Sequence, residues 1–272
     1  MPFFEAVKAS LYDDRFYMGE AQSLASARPI SRLVCELLNP RSVVDVGCGW
    51  GAWLLAFEEC GVARLCGIDG DYINRERMLI DPECFISRDL ARPFEIPDTF
   101  DLAICLEVAE HLPDRSGRNL VRALTAAAPI VVFSAAVPSQ GGSDHVNEQW
   151  PSYWRALFQS EGFRMFDPVR PRIREHANVQ WWYRQNLVVY ACAKAIAEHP
   201  ELGPEVLSQH EIEWVHISMV KRNRDLRAMM RKLPGFMGIW TRIKPCVRPT
   251  PRSDSATANA LASVRSVSRL PR

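Results

Sequence analysis

No stretch of this chain approaches the ~20 consecutive apolar residues that a membrane-spanning helix requires. The most apolar run, ALTAAAPIVVFSAAV (123–137), is cut by Pro129. A signal-peptide layout is missing too, because MPFFEAVKASLYDDRF sets acids among its apolar residues. A cytoplasmic location is therefore expected. None of the eight cysteines forms a C-x-x-C pair, and several sit inside apolar runs such as AICLEV and VVYACA. That spacing suits neither a disulfide framework nor a zinc site. Buried reduced thiols are the expectation, and no metal site is expected. Internal repeats are absent.

An excess of one charge is also missing overall, since the formal net charge is only +1. The charges are nevertheless unevenly placed. Residues 221–272 hold 13 of the 33 Lys and Arg but only 2 of the 32 Asp and Glu, so an acidic body is joined to a basic end. Such an end suits a membrane surface or an acidic partner, or simply a solvated helix and tail. No RNA-binding module and no interleaving of aromatic with basic residues accompanies it, so a nucleic-acid partner has no strong signal.

The most informative feature present is VVDVGCGWGAW (43–53). A β-branched run (Val43, Val44) stops at Asp45, glycines follow at 47, 49 and 51, and a helical pattern opens at Ala52. Strand, glycine turn and helix N-terminus in that order make a nucleotide-like cofactor site at the carboxyl edge of a parallel sheet. Glycine permits positive φ and lets a ligand lie against bare backbone. Gly47, Gly49 and Ala52 also fit the dinucleotide fingerprint, so a nicotinamide-dependent oxidoreductase is a competing reading. Either ligand calls for an acid about 20 residues on, and ARLCGID supplies Asp69. Asp45 favours the other reading: an acid before the glycines repels a pyrophosphate but attracts the ammonium of an amino-acid-bearing cofactor such as S-adenosylmethionine (SAM).

Along the chain, a helical pattern runs from about 20 to 38, with Pro29 a possible start for a second helix. Strands are expected at about 42–46, 63–68, 84–86, 99–108, 130–137, 163–167 and 186–193, with helices at about 51–60, at AEHLP, at 115–127 and from Pro151 towards Gly162. This alternation predicts an α/β fold: a doubly wound, mostly parallel seven-stranded sheet with helices on both faces, plus a C-terminal helical extension. The expected organisation is an N-terminal helical segment or lid (1–39), a cofactor-binding domain (40–195), a basic helical extension (196–250, helical over 203–232) and a disordered tail (251–272).

These motifs together resemble the class I SAM-dependent methyltransferases over about residues 40–195. DVGCGWG is similar to the family's glycine motif, Asp69 to its ribose-binding acid, and Asp89 in SRDL to the acid that faces the adenine amino group. EVAEHLP (107–113) is similar to the segment beneath the methionine end of SAM. The resemblance thus implies SAM as cofactor, held by Asp45, Gly47, Cys48, Gly49, Gly51, Asp69, Gly70, Asp89, Leu90, Leu106 and Glu107. A narrower resemblance, in FSAAVPSQGGSDHVNEQWPSYW and WWYRQN, is to a bacterial subgroup associated with glycan and secondary-metabolite biosynthesis.

Methyl transfer to a hydroxyl needs an in-line approach and a place for the hydroxyl's proton. His145, with Asp144 and Glu148 beside it, is the first candidate base, and His111, four residues after Glu107, is the second. Aromatic residues (Trp150, Tyr153, Trp154, Trp181, Trp182, Tyr183) are placed to stack on an acceptor or to pack the core, and Arg184, Gln185 and Asn186 to bind its polar groups or close a turn. Adjacent Trp181 and Trp182 would face opposite ways if extended. The expected function is methyl transfer to a small-molecule or glycan acceptor. Methylation of a protein or RNA, or non-catalytic SAM binding, are the alternatives.

Overall fold

A computed structural model describes residues 14–208 and 213–230. Seven strands form one sheet: β1 (Ser42–Val46), β2 (Arg64–Asp69), β3 (Phe85–Ser87), β4 (Leu102–Leu106), β5 (Ile130–Ser134), β6 (Phe163–Phe166) and β7 (Val188–Cys192). Their order is β3-β2-β1-β4-β5-β7-β6, and β7 alone runs antiparallel to its neighbours. The expected doubly wound α/β sheet is therefore present.

The strands read as continuous apolar runs because both faces are covered. Successive residues feed two separate cores. On one face, Val43, Leu102, Ile104 and Val132 meet Ile30 and Val34 of α1 (Asp14–Leu38) and Leu54 and Phe57 of α2 (Ala52–Glu59). On the other, Val44, Ala103, Cys105 and Phe133 meet Leu120 and Leu124 of α3 (Asp114–Ala127) and Trp154 and Phe158 of α4 (Pro151–Ser160). Among the described residues, four 3-10 turns and three short helices, α5 (Arg170–Ile173), α6 (Trp181–Asn186) and α7 (Ala193–Glu198), complete the regular structure; α8 follows at Ile217–Met230.

Several local expectations are corrected. Pro29 does not start a new helix but lies inside α1. Buried Ala27, Ile30, Val34 and Leu38, at helical spacing, hold that helix to the core across the missing hydrogen bond. Trp181 and Trp182 are helical rather than extended, and Tyr183 beside them packs edge-on against Trp53, with ring centroids 5.1 Å apart. The helix expected over 203–232 is only α8. Gly203 takes φ 76°, Pro204 follows, and the chain instead pairs with the outer strand: Glu205 bridges Phe166, and Val206 N–H donates to the Met165 carbonyl at 2.9 Å. An exposed sheet edge thereby gains cover. The expected disordered tail lies outside the described residues. Among the described residues no helix is long and apolar enough to cross a membrane.

Phe158 and Tyr190 stack face to face, centroids 3.8 Å apart and planes within 8°, in the centre of the second core. The Tyr190 hydroxyl is buried there with no hydrogen-bond partner. Phe158→Ala is expected to lower unfolding stability by about 3–5 kcal/mol through the cavity it leaves. Tyr190→Phe should leave stability unchanged or raise it by about 1 kcal/mol, because it deletes an unsatisfied polar group. Urea unfolding of both variants measures the contrast.

Candidate active site

The carboxyl ends of β1, β2, β4 and β5 lie at one edge of the sheet and carry the glycine turn, Asp69, Glu107 and the loop bearing His145. β1 delivers Asp45, 2% exposed, in register with Gly67 of β2 and Ile104 of β4. The chain then turns through Gly47, Gly49 and Gly51 at φ 86°, 54° and 89°. Only glycine takes these angles without strain. Gly47 is required for space as well: a Cβ there would lie 2.2 Å from Cγ2 of Val108, so this turn presses directly on the segment after β4. α2 begins behind Gly51 without a side-chain cap, leaving its first N–H groups open to a ligand. Cys48 is buried, its sulfur packed on Gly67.

Asp69, at the end of β2, fastens this cradle. One carboxylate oxygen accepts the Gly49 N–H at 2.9 Å, and the other accepts the Gly70 N–H at 2.7 Å and the Tyr72 hydroxyl. Gly70 lies beneath the Tyr72 ring, where a Cβ would meet ring carbon at 2.1 Å. Asp89 behaves differently. It is exposed, accepts the Ala91 N–H at 3.0 Å and pairs with Arg92 at 3.2 Å. Its neighbour Leu90 is buried in the second core. Bare backbone at three positive-φ positions, an uncapped helix start and a carboxylate at the next strand end fit an adenosyl cofactor with a free amino group.

Leu106 ends β4, and Glu107 follows in the left-handed region, φ 56°. Ala109–His111 is a 3-10 turn rather than the start of an α-helix, so Glu107 and His111 are not stacked on one helical face as their spacing predicts. Glu107 instead turns into a buried polar network. Its oxygens accept from Gln140 Nε2 and Asn186 Nδ2, each at 3.0 Å, and Asn186 also donates to Gln140 Oε1 at 2.9 Å. Burial raises the Glu107 carboxyl above the usual carboxylate range, while the amide donors, Ser134 and the nearby His145 pull it back. Gln185, fully enclosed, extends the network to Gln140 and to the backbone N–H of His216.

The two histidines meet. His111 and His145 stand edge to face, with centroids 4.8 Å apart. His145 Nδ1 lies 3.0 Å from Glu148, whose carboxylate also accepts the Ser139 and Gly141 N–H groups at 2.8 and 2.9 Å. Burial, then the neighbouring His145, lower the basicity of His111. Gly142 makes room for the pair, since a Cβ there would sit 2.2 Å from His145 Nε2. Of the aromatic candidates, Trp154 is core, as is Tyr183, whereas Trp150 is exposed. Gln140 and Glu110 escape a reading of the sequence: Gln140 sits in a loop without periodicity, and Glu110 is visible only as one acid within EVAEHLP.

Asp69→Ala is expected to weaken SAM binding ten- to a hundredfold (~1.4–2.7 kcal/mol), because the ribose loses charge-assisted hydrogen bonds and the Gly49 turn loses its anchor. Titration calorimetry checks this, and undiminished affinity would contradict the placement of the cofactor.

Comparison with known proteins agrees with this geometry. The family model described as methyltransferase domain matches residues 18–184. The chain is 33% identical over 100 residues to a ubiquinone biosynthesis O-methyltransferase of Neisseria meningitidis, a match covering 31% of this chain and 41% of that relative's length. Among solved structures, a complex of the Haloferax volcanii Trm112 methyltransferase activator with a methyltransferase is similar over 68% of this chain and 96% of that one, with a TM-score of 0.51 and 18% identity. A magnesium protoporphyrin IX methyltransferase from Synechocystis PCC 6803 with bound SAM is similar over 64% and 80%, with a TM-score of 0.43 and 18% identity. The glycine cradle, its clamping aspartate and a family match over more than half of its length make this chain a member of the methyltransferase domain family.

Proposed function

We propose that the methyl acceptor is a hydroxyl oxygen of a small molecule, sugar-type compounds included. The observation that carries this reading is the paired imidazoles of His111 and His145, 4.8 Å apart at the same sheet edge as the glycine cradle. An amine needs little help once neutral, whereas a hydroxyl must lose a proton as its oxygen attacks. Two imidazoles beside the reacting centre are the groups suited to that task.

When bound, SAM supplies an electrophilic methyl on a sulfonium with a good leaving group. The chain's part is positioning. Asp69 and the glycine turn hold the adenosyl end, Asp45 attracts the amino group, and Glu107 braces the methionine end from its amide network. Glu148 fixes the His145 ring, leaving Nε2 as the working nitrogen. The relative's printed role in ubiquinone biosynthesis O-methylation accords with an oxygen acceptor, although this chain spans less than half of that protein. The glycan-type resemblance of residues 133–154 and 181–186 leads to the inclusion of sugars.

SAM labelled with deuterium in its methyl group, added with the enzyme to a metabolite extract, is expected to label low-mass, alkali-stable products. His145→Ala should reduce that labelling ~10²-fold or more while leaving SAM affinity nearly intact. Label confined to protein or RNA, or an unchanged rate in the variant, would overturn the proposal.

A further inference from the structure

Residues 213–223 lie outside the 18–184 span of the family match, yet the chain comes back there to the network around Glu107. The segment is firmly seated. Arg170 and Arg174 place their guanidinium groups over Trp214, 5.4 and 5.8 Å from its ring centre, and the His216 ring stacks on Trp181 at 6.2 Å. Met219, in the first turn of α8, is buried, and Asn223 Nδ2 donates to the Ser139 carbonyl at 2.9 Å. Met219 and Asn223 are one helical turn apart, so a single face of α8 rests on the body, while Ile217 and Val220 are exposed.

Between this segment and Glu107 stands a relay of three buried side-chain amides, Gln140, Gln185 and Asn186. A side-chain amide can turn over and exchange its donor for its acceptor, whereas a backbone N–H cannot. The ends of a buried relay therefore decide which way each member points. Here two backbone groups do so. The Val137 N–H donates to Gln140 Oε1 at 3.3 Å, and the His216 N–H donates to Gln185 Oε1. Gln185 Nε2 is thereby aimed at Gln140 Oε1 and Asn186 Oδ1, at 3.2 and 3.0 Å, with the Met219 sulfur a weaker acceptor at 3.8 Å. Asn186 Nδ2 and Gln140 Nε2 are then the groups left to face the two oxygens of Glu107. Every link points its hydrogens towards the carboxylate.

We propose that residues 213–223 complete the cofactor site, and that Gln185 is the positioning residue through which they do so. The inference rests on the reading of Glu107 as the brace for the methionine end of SAM. The His216 N–H holds Gln185 one way round, Gln185 orients Asn186, and Asn186 with Gln140 fixes the Glu107 carboxylate. Without that N–H, Gln185 is free to turn its oxygen towards Gln140 Oε1 and Asn186 Oδ1, setting acceptor against acceptor in a buried site. A half-satisfied buried network is costly and loses its single geometry. The C-terminal extension is thus, at its start, a part of the site rather than an appendage to it.

Titration calorimetry of full-length variants with SAM tests this. His216→Pro deletes the N–H; Val215 before it is not helical and α8 opens at the next residue, so proline is accommodated. His216→Ala keeps the N–H and removes the ring. His216→Pro and Gln185→Leu are expected to weaken SAM binding about tenfold, and His216→Ala less than about threefold. Because the effect passes through Glu107, His216→Pro should add little in a Glu107→Gln background, whereas a merely structural loss would add in full. Circular dichroism establishes that each variant is folded, and the two His216 variants decide the matter should Gln185→Leu fail to fold. Equal affinities of His216→Pro and His216→Ala, or additive losses in the double variant, would overturn the role of the segment while leaving Glu107 as the brace. Unchanged affinity in Glu107→Gln itself would overturn the brace and the relay together.

Discussion

The structure depends on a close approach of backbone to backbone at the carboxyl edge of the sheet. The turn after β1 and the segment after β4 press together so tightly that Gly47 has no room for a Cβ against Val108. That contact sets the glycine turn against the segment that begins with Glu107 and Val108. The Asp69 carboxylate locks the same turn from β2 through Gly49 and Gly70. Positive φ at three glycines is therefore demanded by the site as well as tolerated by it.

The sheet makes this precision possible. Its inner strands are buried on both faces, with neighbouring residues such as Val43 and Val44 committed to opposite cores. A one-residue slip of β1 against β4 would exchange those faces and carry Asp45 into apolar packing. Register and site geometry are thus held by the same contacts. The helix before the antiparallel β7 adds Asn186, which donates to Glu107, and Gln185, which donates to Gln140. The buried acids of this region are held by donors, Asp69 by Gly49, Gly70 and Tyr72 and Glu107 by Gln140 and Asn186.

Much of this was legible in the residues themselves. Apolar runs between glycine and proline signals locate all seven strands, and VVDVGCGWGAW with Asp69 locates the cradle, because those features are local and periodic. What escaped is non-local. Trp181 and Trp182 look extended until the packing of Tyr183 on Trp53 makes them helical. The segment after Gly203 looks helical until it pairs with β6. Gln140 joins Glu107 only through the fold, and His145 meets His111 because backbone amides tie its loop to the Glu110 carbonyl. Asp89 accepts from its own turn and pairs with Arg92, contacts that its sequence neighbours do not announce.

Hydrogen–deuterium exchange with and without SAM tests the central claim most directly. Binding in the glycine cradle predicts slowed exchange at the amides of residues 47–53, 69–70 and 106–108, with α3 and α4 unchanged. Unaltered exchange at residues 47–53 under saturating SAM, or protection concentrated elsewhere, would contradict it.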